Sequence, residues 1–331
     1  MNLLPDDIID IIYSYAKELK NCNKQYNRLH NRFKISDNKN INSQLEYIAK
    51  MKNCSYLYIS SCNYIDKYGY ESIYTMNNLC ELNASALSIT NEYLQHICYY
   101  NTNLKKLNLS NCIQLTNDGF KYINNLKNIE ILNISNCLVK TAAFKYISKL
   151  PKLTILITKN ALITVKSVYY IGQMKMLTSI NCDGSLVDKT IMFTNINHIS
   201  LVNCKIFDDC QNDNLDRNLS CNTKILILNG SDINIKTFIK ISKCCNIQML
   251  SIVNCKNLTI NVFSYIANMQ MLKYLMIYGN TQFAGYKYHL LNKIKTIIVD
   301  ITFFTEDNYC KKCHIANQPN KSIMSINNCK Y

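Results

Sequence analysis

One spelling recurs so regularly along these 331 residues that it dictates the architecture. Leu104-x-x-Leu107-x-Leu109-x-x-Cys112 runs on into Leu115-Thr116-x-Asp118-Gly119-Phe120, and twenty-five residues later the frame returns as Ile129-x-x-Leu132-x-Ile134-x-x-Cys137. Eleven copies open at Cys54, Leu79, Leu104, Ile129, Leu153, Leu177, Ile196, Thr223, Ile247, Leu272 and Ile294. Their spacing lies within the roughly 20–29 residues of a strand-plus-helix repeat and away from ankyrin or tetratricopeptide periods. Units of this kind bury their apolar faces only against neighbours, so the chain is expected to stack into a solenoid.

The physics of one unit explains its spelling. Alternation in Lys106-Leu107-Asn108-Leu109-Ser110 turns Leu107 and Leu109 to the core and Lys106, Asn108 and Ser110 outward. Leu104 and Cys112 turn the chain inward on either side. Phe120, Ile123 and Leu126 then recur at helical spacing, which predicts a short helix over residues 118–126 behind the strand. A helix is wider than the roughly 4.8 Å between strands, so the stack should curve, with the sheet on the concave side.

These residues resemble the cysteine-containing leucine-rich-repeat family, whose consensus adds Cys and a Leu/Ile-Thr-Asp-x-Gly stretch. Cys62, Cys112, Cys137, Cys204 and Cys255 hold the cysteine position, and Leu87, Ala161, Ser185, Ser231, Asn280 and Thr302 replace it elsewhere. Most of the replacements are small or hydrogen-bonding side chains that fit the same tight turn. The resemblance covers about four-fifths of the chain and implies an α/β fold: a curved parallel sheet with helices on the convex side, spanning residues 36–302.

The N-terminus departs from the repeat. Leu4-Pro5-Asp6-Asp7-Ile8-Ile9-Asp10-Ile11-Ile12 places proline in a first helical turn, two acids at the positive end of the helix dipole, and a strongly apolar face behind them. Leu19-x-x-Cys22 follows, and then Tyr26 and Leu29. This looks like an F-box, with a middle segment between Tyr15 and Leu19 shorter than usual. The resemblance implies a small helical domain over residues 1–35. Leu4, Pro5, Ile8, Ile9 and Ile12 would dock on the Skp-type adaptor of a cullin–RING ubiquitin ligase, the repeats holding the target protein. The other reading of the same residues is a cap over the open end of the solenoid. Residues 45–53 spell the helix half of a repeat whose strand is missing, which sets the domain boundary near residues 35–42.

Outward strand positions change along the chain. Early copies offer Tyr56, Tyr58, Glu81, Asn83, Lys106 and Asn108; late ones offer Met249, Tyr274, Met276 and Tyr278. Exposed tyrosine and methionine in one patch are typical interface anchors, so these last four are the expected partner-binding residues of the concave face. The alternative is that the tail, residues 303–331, covers them. The acidic stretch 207–216 interrupts the repeat either as a recognition loop or as a tolerated insertion.

Composition excludes other classes. No apolar run reaches the roughly 18–20 residues of a membrane span, and Met1–Asp7 lacks a signal peptide's basic start, so an intracellular location, cytoplasmic or nuclear, is expected. Seventeen cysteines scattered over the repeats read as reduced thiols. The net charge of +15 comes from lysines dispersed among asparagine, isoleucine and tyrosine, a composition similar to AT-rich coding sequences such as those of large DNA viruses or protists. No dedicated nucleic-acid site follows from it, and the densest basic run, Lys24, Arg28, Arg32 and Lys34, reads as a solvated helix face. The five histidines fall in different repeats without a nucleophile signature, and no Gly-rich phosphate loop occurs, so neither catalysis nor a cofactor is expected. Cys310, Cys313, His314 and Cys329 could in principle ligate zinc, but one Cys pair in a tail is weak grounds, and no metal is expected.

Overall fold

The computed structural model describes residues 31–37, 39–207, 222–284, 291, 293–300, 314–315 and 323–327. Leu4, Pro5, Ile8, Ile9 and Ile12 lie outside these residues, as do most of the acidic stretch and the cysteines of the tail. In chain order the strands are β1 (Arg32–Lys34), β2 (Tyr56–Tyr58), β3 (Glu81–Asn83), β4 (Lys106–Asn108), β5 (Ile131–Asn133), β6 (Ile155–Ile157), β7 (Leu162–Ile163), β8 (Ser179–Asn181) and β9 (Leu186–Asp188). They continue with β10 (His198–Ser200), β11 (Lys205–Phe207), β12 (Ile225–Ile227), β13 (Met249–Ser251), β14 (Tyr274–Met276), β15 (Thr296–Asp300), β16 (His314–Ile315) and β17 (Ile323–Asn327). Helices α1 (Ile41–Lys50), α2 (Lys67–Tyr74), α3 (Asn91–Tyr100), α4 (Thr141–Ile147), α5 (Val165–Gly172), α6 (Ile235–Ser242) and α7 (Val262–Ile266) lie between them.

The main sheet stacks β1-β2-β3-β4-β5-β6-β8-β10-β12-β13-β14-β15 in parallel, and β17 and β16 continue it antiparallel. This is a leucine-rich-repeat solenoid: each copy of the spelling supplies one strand, and register runs without a slip. Leu57, Leu82, Leu107, Leu132 and Leu156 are consecutive partners in one buried row. A slip of one residue would turn every such leucine outward, so the pattern itself fixes the register. Phe120, Phe144, Phe238 and Phe263 reach the core from the opposite layer and are fully buried.

The Leu/Ile-Thr stretch of the repeat acts as the helix start. Thr90 accepts a hydrogen bond from the Tyr93 N–H, Thr164 from Ser167 N–H, Asn234 from Thr237 N–H, and Asp66 from Tyr68 and Gly69 N–H. Each satisfies donors that a helix N-terminus leaves unpaired. Just before the cysteine position the backbone turns left-handed in ten successive units: Ser61, Ala86, Asn111, Asn136, Asn160, Gly184, Asn203, Gly230, Asn254 and Gly279. Asparagine and glycine dominate that row because they tolerate positive φ best.

Two expectations are corrected, and two of the segments behind the sheet are 3₁₀ helices. The first solenoid strand is present: Arg32–Lys34 pairs with Tyr56–Tyr58, so the sheet begins inside residues 1–35, and Arg32 and Lys34 sit on a strand rather than on a solvated helix face. The segment behind β4 is a 3₁₀ helix, Gly119–Asn125. The short repeat between Leu177 and Ile196 closes with a 3₁₀ segment, Lys189–Phe193, which is how it saves residues. Among the described residues no helix is long and apolar enough to cross a membrane.

Candidate interaction surface

The cysteine position is a hydrogen-bonded ladder. The Sγ–H groups of Cys112, Cys137, Cys204 and Cys255 donate to the carbonyls of Ala84, Leu109, Cys182 and Leu228 at 3.1–3.2 Å, in each case the residue just after the preceding strand. Where the cysteine is replaced, Ser185 and Asn280 make the corresponding bond to Thr158 and Ile252 at 3.3 and 2.7 Å, and Ser231 bonds Leu201. Burial pushes the Cys137 and Cys204 thiols up to about 12 and those of Cys112 and Cys255 to about 11. Such thiols are not poised as nucleophiles or metal ligands. The described cysteines are all free thiols.

Two rows of outward side chains line the concave face. One runs Arg32, Tyr56, Glu81, Lys106, Ile131, Ile155, Ser179, His198, Ile225, Met249, Tyr274, Thr296. The other runs from Lys34 through Tyr58, Asn83, Asn108, Asn133, Ile157, Asn181, Ser200, Ile227, Ser251 and Met276 to Ile298.

At the N-terminal end the side chains form a charged relay. Arg32 Nη2 donates to the Tyr58 hydroxyl at 2.5 Å, Tyr58 donates to Glu81 Oε1 at 2.7 Å, and Lys106 Nζ lies 3.5 Å from Glu81 Oε2. The Arg32 guanidinium also stacks over the Tyr58 ring, 4.9 Å from its centroid. Burial, and then the Glu81 carboxylate, push the Tyr58 phenol up to about 12.

The middle of the face is an aliphatic patch with a polar surround. Ile131, Ile155 and Ile157 are half-buried on adjacent strands. Asn83, Asn108 and Asn133 lead up to it, each accepting a bond from the Ser N–H two residues on, which fixes the carboxamide. On the far side Asp183 accepts from Ser200 Oγ at 2.6 Å and from Val202 N–H at 2.9 Å, with Lys159 Nζ 3.2 Å away. Burial works to raise the Asp183 pKa, but these partners outweigh it and hold the carboxyl below its usual range. Ser179 Oγ and His198 Nδ1 are 3.3 Å apart, and burial lowers the His198 pKa against the pull of Asp183.

The C-terminal part corrects the expected anchor site. Met249, Tyr274, Met276 and Tyr278 do come together, with Ile225, Val253 and Ile298, in an apolar cluster separate from the main core. Only Tyr278 is half-buried; Met249, Tyr274 and Met276 are 1%, 7% and 6% exposed. Rungs about 4.8 Å apart bring these long apolar side chains together, Lys295 lies over the Tyr274 ring, Nζ 5.5 Å from its centroid, and most of the tail expected as the alternative cover lies outside the described residues. The residue types were legible; their mutual burial was not. The central patch and the relay emerge when outward positions are aligned at the repeat spacing, which pairs Glu81 with Lys106 and Ile131 with Ile155.

No protein-family model matches the chain, and no curated protein sequence does. Among solved structures it is similar to an internalin, InlF, from Listeria monocytogenes str. 4b F2365, at 16% identity over 75% of this chain and 81% of that one, with a TM-score of 0.48.

Proposed function

We propose that the protein is a protein-interaction receptor whose binding surface is the open middle of the concave face. The observation that carries this reading is the arrangement of half-buried Ile131, Ile155 and Ile157 between two hydrogen-bonded polar groups. An apolar centre within a polar rim is the anatomy of a specific interface. Affinity capture with the whole chain tests it: partners held by the wild type should be lost with Ile155→Asp and Ile157→Asp. Retention of the same partners would place binding elsewhere.

The finer proposal follows from the N-terminal resemblance. Leu4, Pro5, Ile8, Ile9 and Ile12 dock a Skp-type adaptor, so the chain presents its bound partner, through a cullin, for ubiquitin transfer by proximity. Binding of the purified chain to such an adaptor, abolished by Pro5→Ala with Ile8→Asp, is the expected result. A folded chain that ignores the adaptor would favour a scaffold or inhibitor whose N-terminal residues are a cap. One observation favours that second reading: β1 takes Arg32–Lys34, which the resemblance assigns to the helical domain, into the solenoid sheet.

A further inference from the structure

A second surface lies on the edge of the solenoid, where the chain leaves the sheet for the helices. The residue after the cysteine position is an exposed aliphatic in four consecutive units: Ile113, Leu138, Leu162 and Leu186, exposed by 65%, 65%, 39% and 43%. In the units on either side the same position is polar, Asn63 and Ser88 before them and Lys205, Asp232, Lys256 and Thr281 after, and only the last copy has a large apolar residue there again, Phe303. The stripe is therefore confined to the middle of the chain. It is also held rigidly, since Leu162 and Leu186 are register partners in a small parallel sheet, β7-β9-β11. Where the chain continues from Leu138 and Leu162 into α4 and α5, an open groove of about 630 Å³ is lined by Thr141, Lys145, Thr164, Lys166 and Tyr169.

We propose that this edge binds an acidic amphipathic helix of a partner protein. Three physical arguments select that occupant. The first is area: four such side chains expose roughly 400 Å², about half of the ~800 Å² per partner in a standard interface, which is small for pairing two copies of this chain but suits one helix face. The second is pitch. Rungs recur at about 4.8 Å, so a helix presenting one apolar residue per 5.4 Å turn drifts by about 2 Å over three intervals, whereas a strand presenting alternate residues every ~6.8 Å drifts by about 6 Å. The third is charge. Lys140, Lys145 and Lys166 follow Leu138 and Leu162 in the chain and are exposed; among the described residues the nearest exposed carboxylates are Asp118 at one end and Asp232 beyond Lys205 at the other. The recognition would follow the helix-in-groove mode, with leucines at i, i+4, i+7 and i+11 and flanking Glu or Asp over the lysines.

The test uses the whole chain and a labelled helical peptide of about 16 residues, with leucine at those four positions and glutamate beside them, read by fluorescence anisotropy. Saturable binding is expected, weakened at least about tenfold by Leu138→Ser with Leu162→Ser and weakened again as salt screens the lysines. Those side chains are exposed, so an unchanged melting curve should accompany the loss. Ile155→Asp on the concave face should leave peptide binding intact, which separates this surface from the one proposed above. No binding, equal binding of a lysine-flanked peptide, or indifference to the double substitution would each overturn the proposal. So would self-association in sedimentation that the double variant abolishes, which would give the stripe to a second copy.

Discussion

The middle and the C-terminal rungs of the concave face have the same backbone and different exposure. Ile155 on β6 and Met249 on β13 occupy one row of the sheet, yet the first is half-buried and the second is 1% exposed. The difference is set by neighbours. Ile155 is flanked by Ile131 and by short Ser179, whereas Met249 lies between Ile225 and Tyr274. A solenoid strand does not decide whether its outward residue is a surface or a core residue; the rungs on either side decide it. The C-terminal rungs carry enough large apolar side chains to build a second, smaller core on the concave side, and the middle rungs do not.

The largest effect should come from breaking that second core. Met249→Ala removes a buried side chain and should cost about 2–4 kcal/mol, while Ile155→Ala in the same row should cost only about 1 kcal/mol. Equilibrium urea unfolding of both variants checks the contrast. Equal losses would mean that the two regions are packed alike and would undo the comparison.

The left-handed turn gives the next test. At Ala86 the turn holds a side chain at φ 56°, whereas at Gly279 the backbone opens to φ 75°. A Cβ on Gly279 would run into Asn254 Oδ1, so Gly279→Ala combines backbone strain with a collision and should cost about 1–3 kcal/mol. Ala86→Gly should change stability by a few tenths of a kcal/mol, because the chain already accommodates a side chain there. The same unfolding measurement distinguishes them.

How much of this was legible depends on the length scale of the signal. Repeat number, register and the core leucines follow from local spelling, because a period of two followed by helical spacing has one consistent stacking. The buried state of Met249 depends on side chains one repeat away on either side, and a residue-by-residue reading of strand faces does not see it. The same holds for Glu81 and Lys106, which meet only because register aligns them across 25 residues. The left-handed Asn/Gly row was written in the sequence just before the cysteine position and needed only alignment of the copies to emerge. The strand Arg32–Lys34 lacks the leucine spelling, since Phe33 holds the inward place between two basic residues, and it was hidden for that reason.

Acid should weaken the central polar group. The Asp183 pKa is lowered in the folded chain, so its contribution is complete above the ordinary carboxylate value of about 4 and is lost as pH falls through the folded value below that. His198 is also lowered, and below its usual value of about 6.5 the unfolded chain takes up that proton first, so stability falls in this higher window too. His198→Gln should flatten the upper part of the pH profile and Asp183→Asn the lower part. An unchanged profile in both variants would remove the central group from the stability account.

The smallest effect separates the relay at β2–β4 from the buried cluster. Glu81 and Lys106 keep 17% and 20% of their side-chain surface and sit outside that cluster, so water still screens them. Glu81→Gln should therefore cost about 1 kcal/mol or less, well under the loss at Met249. Its clearer signature is the Tyr58 phenol, which burial and then the Glu81 carboxylate together raise to about 12 against the pull of Arg32. Removing the carboxylate's charge leaves burial and Arg32 in place, so the phenol should titrate at lower pH, seen as a difference between the variant and wild-type ultraviolet titrations. A phenol that does not move would mean that burial alone holds it up, and the N-terminal rungs would then be closed in the same way as the C-terminal ones.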